Sequence, residues 1–569
     1  MNKIRRFIGM FIISVSLLGI LGGCDIIDDL RSEKDVVDYN ATYGVSDGEY
    51  TITLNNEMME TRAIDDGSGN VYLDVNTANS QFDSRIYWQE DENIILYTTP
   101  EGTAEYTPDS TSYMVGTSKE TSDIPVVIEK AGMLYISLDF IKENTKMDCA
   151  SYTEPNRVVI RTTWGEANTT TVNGKKAYIR YQGGPKSPVF RKLEQGERLY
   201  VLDDGGGDEW AQVVTEDGYN GWVENKYLET PSMTTLTEPD FTEPVFTSIS
   251  KDYKINLAWH GVYNETANDE LSQILEETPG INTISPRWLY FENTDGDLVT
   301  LGSADYVKTA HAAGVEVWAM FSNEFTNFDG EMTDEILASR EKRQHVLDQL
   351  ETYIDSYDLD GINLDFEMIG VDGADNYIQF VREMSALCRE KKVVFSIDNY
   401  VPVYWKHYNH KEEGIFADYI IIMGYDEHHS SSEVAGSVAS MGFVEQGIED
   451  MIAMVPKEKV INAIPLYTRV WATDSAGVVE SFSAGMTEAE GYLESHDVTP
   501  VYDEETGQNY GEYTSETDGR LYQIWLEDET SITARMKMIQ DYDLAGVASW
   551  RIGWESGPEI WNIIAQYVK

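Results

Sequence analysis

The sequence predicts an α/β protein whose C-terminal half is a (β/α)₈ TIM barrel, preceded by a small α+β repeat domain and a small all-β barrel. The chain has 569 residues, too many for one ordinary domain. Beyond residue 251, short apolar strands alternate with helical patterns, which is typical of a parallel barrel. Before residue 230, short strands are separated by Gly-rich turns, which indicates compact β-rich domains.

The charge of the chain excludes one class of partner. There are 42 Lys and Arg against 99 Asp and Glu, so the formal net charge is −57. Binding of nucleic acid depends on basic side chains that replace counterions on phosphates, so no nucleic-acid partner is expected. The many Trp and Tyr residues suit sugar rings as well as protein cores.

The N-terminus has the features of an export signal. Lys3, Arg5 and Arg6 precede an apolar run over 7–21, which is short for a membrane span, and small residues lead to Cys24. This pattern resembles the lipobox of bacterial lipoproteins and implies a signal peptide over 1–23 with lipidation at Cys24. The alternative is an uncleaved membrane anchor. Either way the remainder is expected outside the cytoplasm, lipid-anchored to the bacterial cell membrane in the first case, with a polar tether over 24–48.

Residues 49–165 contain two similar stretches of nearly equal spacing. Val71–Val75 leads to Asn93–Thr99, and Leu134–Leu138 leads to Asn156–Thr163. Such repetition predicts a small duplicated α+β unit. It resembles the N-terminal domain of copper amine oxidases, but the segment has no His, and neither copper nor any other metal or cofactor is expected.

Residues 168–229 read as a small all-β barrel followed by a linker over 230–250 rich in Thr, Pro and Glu. The strand order and Gly221-Trp222-Val223 resemble bacterial SH3-like domains. The resemblance implies a module that grips the cell wall; a rigid spacer is the alternative.

The last segment, 251–569, contains eight candidate barrel strands separated mostly by helical patterns. Polar and aromatic residues collect at the carboxyl ends of these strands, where barrel enzymes place their chemistry. The strands begin near Ile255, Thr283, Val315, Gly361, Val393, Tyr419, Val460 and Gly546.

The fourth strand carries the most informative pattern. Apolar residues at 362, 364 and 366 alternate with Asn363, Asp365 and Glu367, so the three polar side chains share one face. Two carboxylates at the end of a buried strand imply a polar pocket in which each raises or lowers the pKa of the other. Such pairs can hold a protonated acid beside an ionised partner.

Four motifs in this segment resemble family 18 glycoside hydrolases, the chitinase-like enzymes, and in detail their spore-cortex and cell-wall N-acetylglucosaminidase subgroup. Asn363 stands where the family has Asp, and Thr468 where it has Gly. The motifs are Asp360-Gly361-Ile362-Asn363-Leu364-Asp365-Phe366-Glu367, Met423-Gly424-Tyr425-Asp426, Pro465-Leu466-Tyr467-Thr468-Arg469-Val470-Trp471 and Ser549-Trp550-Arg551-Ile552-Gly553.

The resemblance implies cleavage of β-linked N-acetylglucosamine-containing polysaccharide, of the peptidoglycan or chitin type, with retention and assistance by the substrate's own acetamide group. Glu367 would be the general acid, Asp365 would hold the acetamide nitrogen and Tyr425 the acetamide oxygen. Substrate-binding roles are implied for Asp360, Asn363, Asp426, Arg469 and Trp550.

Two other functions remain open from the sequence. One is a non-catalytic surface lipoprotein that binds cell-wall carbohydrate on the same fold; the other is a scaffold whose modules only bind wall polymer. The polar insertion over 472–522 after the seventh strand either walls the substrate groove or is inert.

Overall fold

The computed structural model describes residues 34–116, 118–325 and 330–568, which form two compact units. The first contains most of the chain up to Pro244. The second contains the chain from Val245 onward and two short earlier segments, Gln89–Glu92 and Thr98–Ala104. The predicted signal peptide and Cys24 lie outside the described residues. In the described part of the chain, every helix is too short or too polar to cross a lipid bilayer.

The α+β domain contains the predicted duplication. In each copy a strand leads directly into a seven-residue helix and then into a pair of strands, and the first strands of the two copies, β3 and β10, pair antiparallel. The elements are α1 (Tyr39–Thr42), β1 (Glu49–Leu54), β2 (Glu57–Asp65), β3 (Val71–Asp74), α2 (Val75–Gln81), β4 (Ile86–Gln89), β5 (Ile94–Thr99), β6 (Gly102–Tyr106), β7 (Ser112–Val115), β8 (Ser118–Thr121), β9 (Val127–Lys130), β10 (Met133–Ser137), α3 (Leu138–Asn144), β11 (Asp148–Tyr152) and β12 (Arg157–Arg161). A seven-stranded sheet has the order β11-β12-β1-β2-β3-β10-β9, and β4 to β8 form a second sheet.

The following all-β domain is a seven-stranded antiparallel sheet in the order β15-β14-β18-β17-β16-β13-β19. Its last strand lies in the segment predicted as a linker, because the backbone of 232–236 pairs with that of 165–169. The strands are β13 (Gly165–Thr171), β14 (Tyr178–Arg180), β15 (Val189–Lys192), β16 (Arg198–Asp203), β17 (Trp210–Thr215), β18 (Asn220–Glu224) and β19 (Ser232–Leu236), with 3₁₀ turns at Gly205–Gly207 and Asn225–Tyr227.

A short N-terminal segment over 36–43 packs on this all-β domain. Val36 forms an isolated parallel bridge with Val189, and Tyr39, on α1, is buried. The ring of Tyr39 lies 4.8 Å from that of Phe190 and 5.0 Å from that of Tyr219. The expectation of a polar tether up to residue 48 is therefore wrong for this segment, because its aromatic side chains join the hydrophobic core of the domain.

The second unit contains the eight-stranded parallel barrel. Strands pair in the order β20-β33-β27-β26-β25-β24-β23-β21, and pairing of β20 with β21 closes the barrel, which confirms the predicted fold class. The strands of this unit are β20 (Ile255–His260), β21 (Thr283–Phe291), β22 (Leu298–Thr300), β23 (Glu316–Phe325), β24 (Gly361–Asp365), β25 (Val394–Tyr400), β26 (Tyr419–Met423), β27 (Val460–Pro465), β28 (Tyr467–Thr473), β29 (Val479–Gly485), β30 (Val501–Asp503), β31 (Gln508–Thr514), β32 (Leu521–Leu526) and β33 (Gly546–Trp550).

Helices cover the outside of the barrel. The strands they cover are continuously buried, as in β26, which is expected when both faces of a parallel strand are enclosed. The helices are α4 (Leu271–Glu277), α5 (Ala304–Ala312), α6 (Gly330–Ala338), α7 (Arg340–Tyr357), α8 (Ala374–Lys391), α9 (His410–Phe416), α10 (Met441–Ile452), α11 (Met486–Glu494), α12 (Glu529–Asp541) and α13 (Pro558–Tyr567), with 3₁₀ segments at Glu265–Glu270, Val371–Gly373 and Lys457–Lys459.

The insertion after the seventh barrel strand is an ordered subdomain. Strands β28 to β32 form a five-stranded sheet in the order β29-β28-β32-β31-β30, and α11 packs against it. Its attachment to the barrel includes a fully buried ion pair between Glu527 and Arg535, with N···O 2.6 Å. Gln508, on β31, also donates to Glu527 at 2.8 Å.

Candidate active site

A cavity opens at the carboxyl ends of the barrel strands. Four of its residues come from the fourth and fifth strands and the segment just after the fourth. The rest come from strands one, three, six and eight and from the segments just after strands six and seven. The lining residues are Trp259, Met320, Asp365, Glu367, Asp398, Tyr400, Met423, Tyr425, Asp426, Tyr467 and Trp550. Four of the predicted site residues other than Glu367 are therefore brought together with it, namely Asp365, Tyr425, Asp426 and Trp550.

The backbone at Glu367 is held in place just beyond the end of β24. Asn323, on β23, donates from Nδ2 to the carbonyl of Glu367 at 2.8 Å and accepts from its N–H at 3.0 Å. Phe366 between the two acids is buried and faces the helix layer, where its ring stacks on that of Phe380 on α8. The alternation predicted from the sequence therefore directs Asp365 and Glu367 into one cavity.

The carboxyl group of Glu367 has one direct partner. The hydroxyl of Tyr400 donates to its Oε2 at 2.5 Å. Burial raises the pKa of Glu367; the hydrogen bond from Tyr400 opposes this change, and the nearby carboxylate of Asp426 adds to it. A raised pKa keeps Glu367 protonated to higher pH, as a general acid requires.

The carboxyl groups of Asp365 and Glu367, both partly exposed, share the cavity with that of the buried Asp398. Burial, then the charges of Glu367 and Asp398, raise the pKa of Asp365 well above its usual value, and Arg287 opposes the rise. The pKa of Asp398 is also raised well above its usual value, mainly by burial. Repulsion between these like charges adds to the effect of burial, and both favour retention of protons on the three carboxyl groups.

The sequence analysis missed Asp398 and Tyr400, although the fifth strand repeats the pattern of the fourth. Ser396, Asp398 and Tyr400 alternate with apolar residues or with Asn399. The parallel register pairs Asn363 with Ser396, so Asp398 and Tyr400 lie level with Asp365 and Glu367 on the neighbouring strand. The alternation of polar residues on this strand was the available signal.

Asn363 lies beneath the cavity, inside the barrel, and is fully buried. Its Oδ1 accepts from the indole N–H of Trp259 at 2.9 Å and from the hydroxyl of Ser285 at 3.0 Å. Its Nδ2 donates to Ser396 at 3.1 Å and to Oδ1 of Asp398 at 2.8 Å. These four hydrogen bonds use all of its side-chain capacity, so in this structure Asn363 lies outside the cavity lining and positions Asp398; its contact with substrate stays a prediction.

Aromatic side chains enclose the rest of the cavity. Tyr425 is buried at the cavity wall, and its ring lies 6.0 Å from that of Tyr467, whose hydroxyl donates to Asp426. Trp550 ends the eighth strand and packs edge-on against Trp259, with ring centroids 5.7 Å apart. Tyr425, Tyr467 and Trp550 all line the cavity.

Two predicted substrate contacts lie elsewhere. Asp360 precedes the fourth strand, at the end of the barrel opposite Glu367, and its Oδ2 accepts from the backbone N–H of Val317 at 2.8 Å and contacts Nε2 of His311 at 2.7 Å. Arg469 is directed to the insertion, where it donates to Ser481 at 2.8 Å and to Ser483 at 3.1 Å. Neither residue lines the cavity, and their substrate contacts stay predictions.

Comparison with known families and proteins agrees with this geometry. Residues 328–554 match "Glycosyl hydrolases family 18", residues 175–229 match "Bacterial SH3 domain", and residues 52–160 match "Copper amine oxidase N-terminal domain".

Similar proteins match mainly through the C-terminal region. An "Uncharacterized glycosylase", YvbX, of Bacillus subtilis (strain 168) is 23% identical over 299 residues, which are 51% of this chain and 85% of that protein. The "Cortical fragment-lytic enzyme" of the same organism is 22% identical over 246 residues, 42% of this chain and 56% of that protein. The structure of the C-terminal domain of a putative chitinase from Desulfitobacterium hafniense DCB-2 superimposes with a TM-score of 0.51 at 21% identity, covering 56% of this chain and all of that one. The chain therefore carries a match to a family 18 glycosyl hydrolase domain over 328–554, together with a bacterial SH3 domain and a copper amine oxidase N-terminal domain, and it is a glycosidase.

Proposed function

We propose that this glycosidase hydrolyses β-linked polysaccharides that contain N-acetylglucosamine, with retention of configuration and with the substrate's acetamide oxygen as the nucleophile. The observation that carries the proposal is the convergence of Asp365, Glu367 and Asp398 on one cavity, where burial raises the pKa of each carboxyl group. No separate carboxylate on the opposite wall is needed when the substrate supplies the nucleophile.

In the first step, Glu367 transfers its proton to the glycosidic oxygen as the bond from that oxygen to C1 breaks. The acetamide oxygen forms a bond to C1 and gives an oxazolinium ion. Asp365 accepts a hydrogen bond from the acetamide N–H and stabilises the positive charge, while the hydroxyl of Tyr425 orients the acetamide. Trp550 excludes water beneath the sugar ring.

In the second step, water attacks C1 and the bond from C1 to the acetamide oxygen breaks. Glu367, now a carboxylate, takes a proton from that water and is ready for another cycle. Tyr400 donates to the carboxylate of Glu367 and so stabilises the form that exists between the two steps.

We further propose action outside the cytoplasm on cell-wall glycan, with lipid anchoring at Cys24 and with the SH3 domain assisting localisation. The similarity to a cortical fragment-lytic enzyme and the presence of a bacterial SH3 domain support this setting. Lipid anchoring rests on the sequence pattern alone.

Parallel assays test the reaction. The purified chain should release the aryl group from an aryl N-acetylglucosaminide and not from the matching glucoside, and a thiazoline mimic of the oxazolinium should inhibit it. Digests of chitooligosaccharides and of purified peptidoglycan, followed by mass spectrometry, identify the cleaved bond. Efficient hydrolysis of the glucoside, or a glycosyl ester trapped on Asp365 or Glu367, would contradict the mechanism.

A further inference from the structure

Two arginines flank one exposed tyrosine beside the cavity. The guanidinium of Arg287 lies 5.2 Å from the ring centroid of Tyr263, and that of Arg551 lies 5.7 Å from the same ring. Tyr263 follows the first barrel strand, Arg287 is on the second and Arg551 follows the eighth, and the first strand pairs with both of the others. Tyr263 is 58% exposed and the two arginines are partly exposed, with the side chain of Arg287 at 17%. This group is called here the arginine rim.

Arg551 also contacts a second aromatic ring, since its guanidinium lies 4.6 Å from the centroid of Trp554. The absence of a side chain at Gly261 leaves room for it, because a Cβ there would lie 2.9 Å from Nη1 of Arg551. Among residues 34–116, 118–325 and 330–568, no carboxylate lies within 4.0 Å of this guanidinium, and Arg551 directly follows the cavity residue Trp550.

Arg287 is partly neutralised by an ion pair with Glu324. The two arginines of the rim together with Glu324 therefore have a net charge of +1. The overall formal charge of the chain is −57. The positive charges of the rim change the pKa of two neighbouring groups. Burial, and after it the charge of Arg551, lower the pKa of His260 to about 4. The charge of Arg287 opposes the rise in the pKa of Asp365. A partly exposed cationic group at the edge of a glycan cavity is suited to an anion on the substrate.

We propose that the arginine rim is a subsite for an acidic substituent of the glycan, a carboxylate on a sugar near the one that sits at Trp550. Arg551 and Arg287 would bind the carboxylate through charge-assisted hydrogen bonds, and the rings of Tyr263 and Trp554 would support the sugar that carries it. The inference rests on the proposed function and narrows its substrate class. It predicts a preference for peptidoglycan strands that have lost their stem peptides, whose N-acetylmuramic acid then bears a free carboxylate, over chitin, which is neutral.

The test compares kcat/KM of the full chain on three tetrasaccharides of equal length: a chitooligosaccharide, a peptide-free peptidoglycan fragment, and that fragment with its carboxylates methyl-esterified. The wild type should prefer the acidic fragment, and the preference should disappear with the ester and weaken as salt is raised. Arg551→Gln should lower the acidic-to-neutral ratio at least about tenfold, the scale of one charge-assisted hydrogen bond, and Arg551→Lys should lower it less.

Two further variants sharpen the result. Glu324→Gln frees Arg287 from its acidic partner and should raise the acidic-to-neutral ratio. Arg520→Gln, which removes an exposed arginine paired with Glu480 on the insertion, should leave the ratio unchanged. If Arg551→Gln does not fold, the esterified fragment and Glu324→Gln still decide the question.

The outcomes separate the two proposals. Hydrolysis of none of the three substrates would overturn the proposed function itself. Hydrolysis of the neutral and acidic fragments with equal efficiency, or equal loss on both in Arg551→Gln, would overturn the arginine rim as a subsite while the glycosidase assignment stands.

Discussion

Glu367 is the side chain whose chemistry is easiest to isolate by substitution. Glu367→Gln keeps the shape and can still meet the hydroxyl of Tyr400, but it cannot donate a carboxyl proton. We expect kcat on soluble N-acetylglucosaminides to fall at least about 10²-fold, the usual scale for loss of a general acid, while oligosaccharide binding measured by calorimetry survives. Loss of binding together with catalysis would indicate a collapsed cavity instead.

Tyr400 should set the pH range of that acid. Its hydroxyl donates to Glu367 and thereby favours the ionised carboxylate, so Tyr400→Phe should raise the pKa of Glu367 further. Because activity is lost when the general acid loses its proton, the alkaline limb of kcat/KM should move to higher pH in Tyr400→Phe. Tyr404→Phe, at a more exposed tyrosine on the following loop, is the matched control and should keep the wild-type profile. An alkaline limb that moves to lower pH would contradict the role of Tyr400.

At the scale of single residues, the sequence predicted the two acidic side chains of the fourth strand but not every residue that shares their cavity. Asp365 and Glu367 were predictable because a period of two places them on one face of a buried strand. Asp360 shares that motif, yet it precedes the strand and lies at the opposite end of the barrel. Asp398 is 33 residues from Asp365 in the sequence, and only the register between β24 and β25 shows that the two carboxyl groups share a cavity.

A hydrogen bond from the amide of Asn363 to the carboxyl group of Asp398 joins the neighbouring strands β24 and β25. Asn363→Asp should add a fourth carboxyl group to those of Asp365, Glu367 and Asp398, and a carboxylate oxygen would replace the Nδ2 donor that bonds Asp398. We expect this change to destabilise the fold by about 1–3 kcal/mol and to lower kcat. Asp398→Asn should lower kcat at least about tenfold, because Asp365 loses a partner for its proton.

The double variant Asn363→Asp/Asp398→Asn restores one amide and one carboxyl group with their positions exchanged. An Asp at 363 can still accept from Trp259 and Ser285. We therefore expect the double variant to recover both melting temperature and kcat relative to Asn363→Asp, with a coupling energy of at least about 1 kcal/mol in the double-mutant cycle. Additive losses would show that the two strands act independently.

At the scale of elements, the eight barrel strands were predictable because parallel strands covered on both faces are continuous apolar runs. The C-terminal end of the all-β domain was not predictable in this way. Residues 232–236 have the Thr-rich composition of a linker, but their backbone completes the sheet beside β13. Composition could not reveal that pairing, because it depends on an open sheet edge formed by residues more than sixty positions earlier.

The barrel and its insertion should be active as an isolated fragment. The first residue of that fragment should be chosen within the predicted linker, before residue 251. The ring of Phe246 lies 4.5 Å from that of Phe416, and the backbone N–H of Ile249 donates to Asp418 at 2.6 Å. A fragment over 245–569 should therefore melt at a higher temperature than one over 251–569, since burial of one Phe contributes about 1.5–3 kcal/mol.

Both fragments contain every residue that lines the cavity, so both should hydrolyse a soluble aryl N-acetylglucosaminide with the kcat of the full chain. On intact cell walls they should be slower if the first unit assists localisation. A folded 245–569 fragment without activity on the soluble substrate would show that chemistry depends on the first unit.

The segment over 36–43 has a consequence for any wall ligand of the SH3 domain. Tyr39 and Tyr43 cover Phe190 and Tyr219 of that domain, and the two tyrosines belong to the same polypeptide. A covalently joined segment competes with a free ligand at an effective concentration on the order of millimolar. A wall peptide that binds these rings would therefore have to displace the attached segment. A weak ligand would bind only to another face of the domain, or to these rings where the local concentration of wall polymer is high.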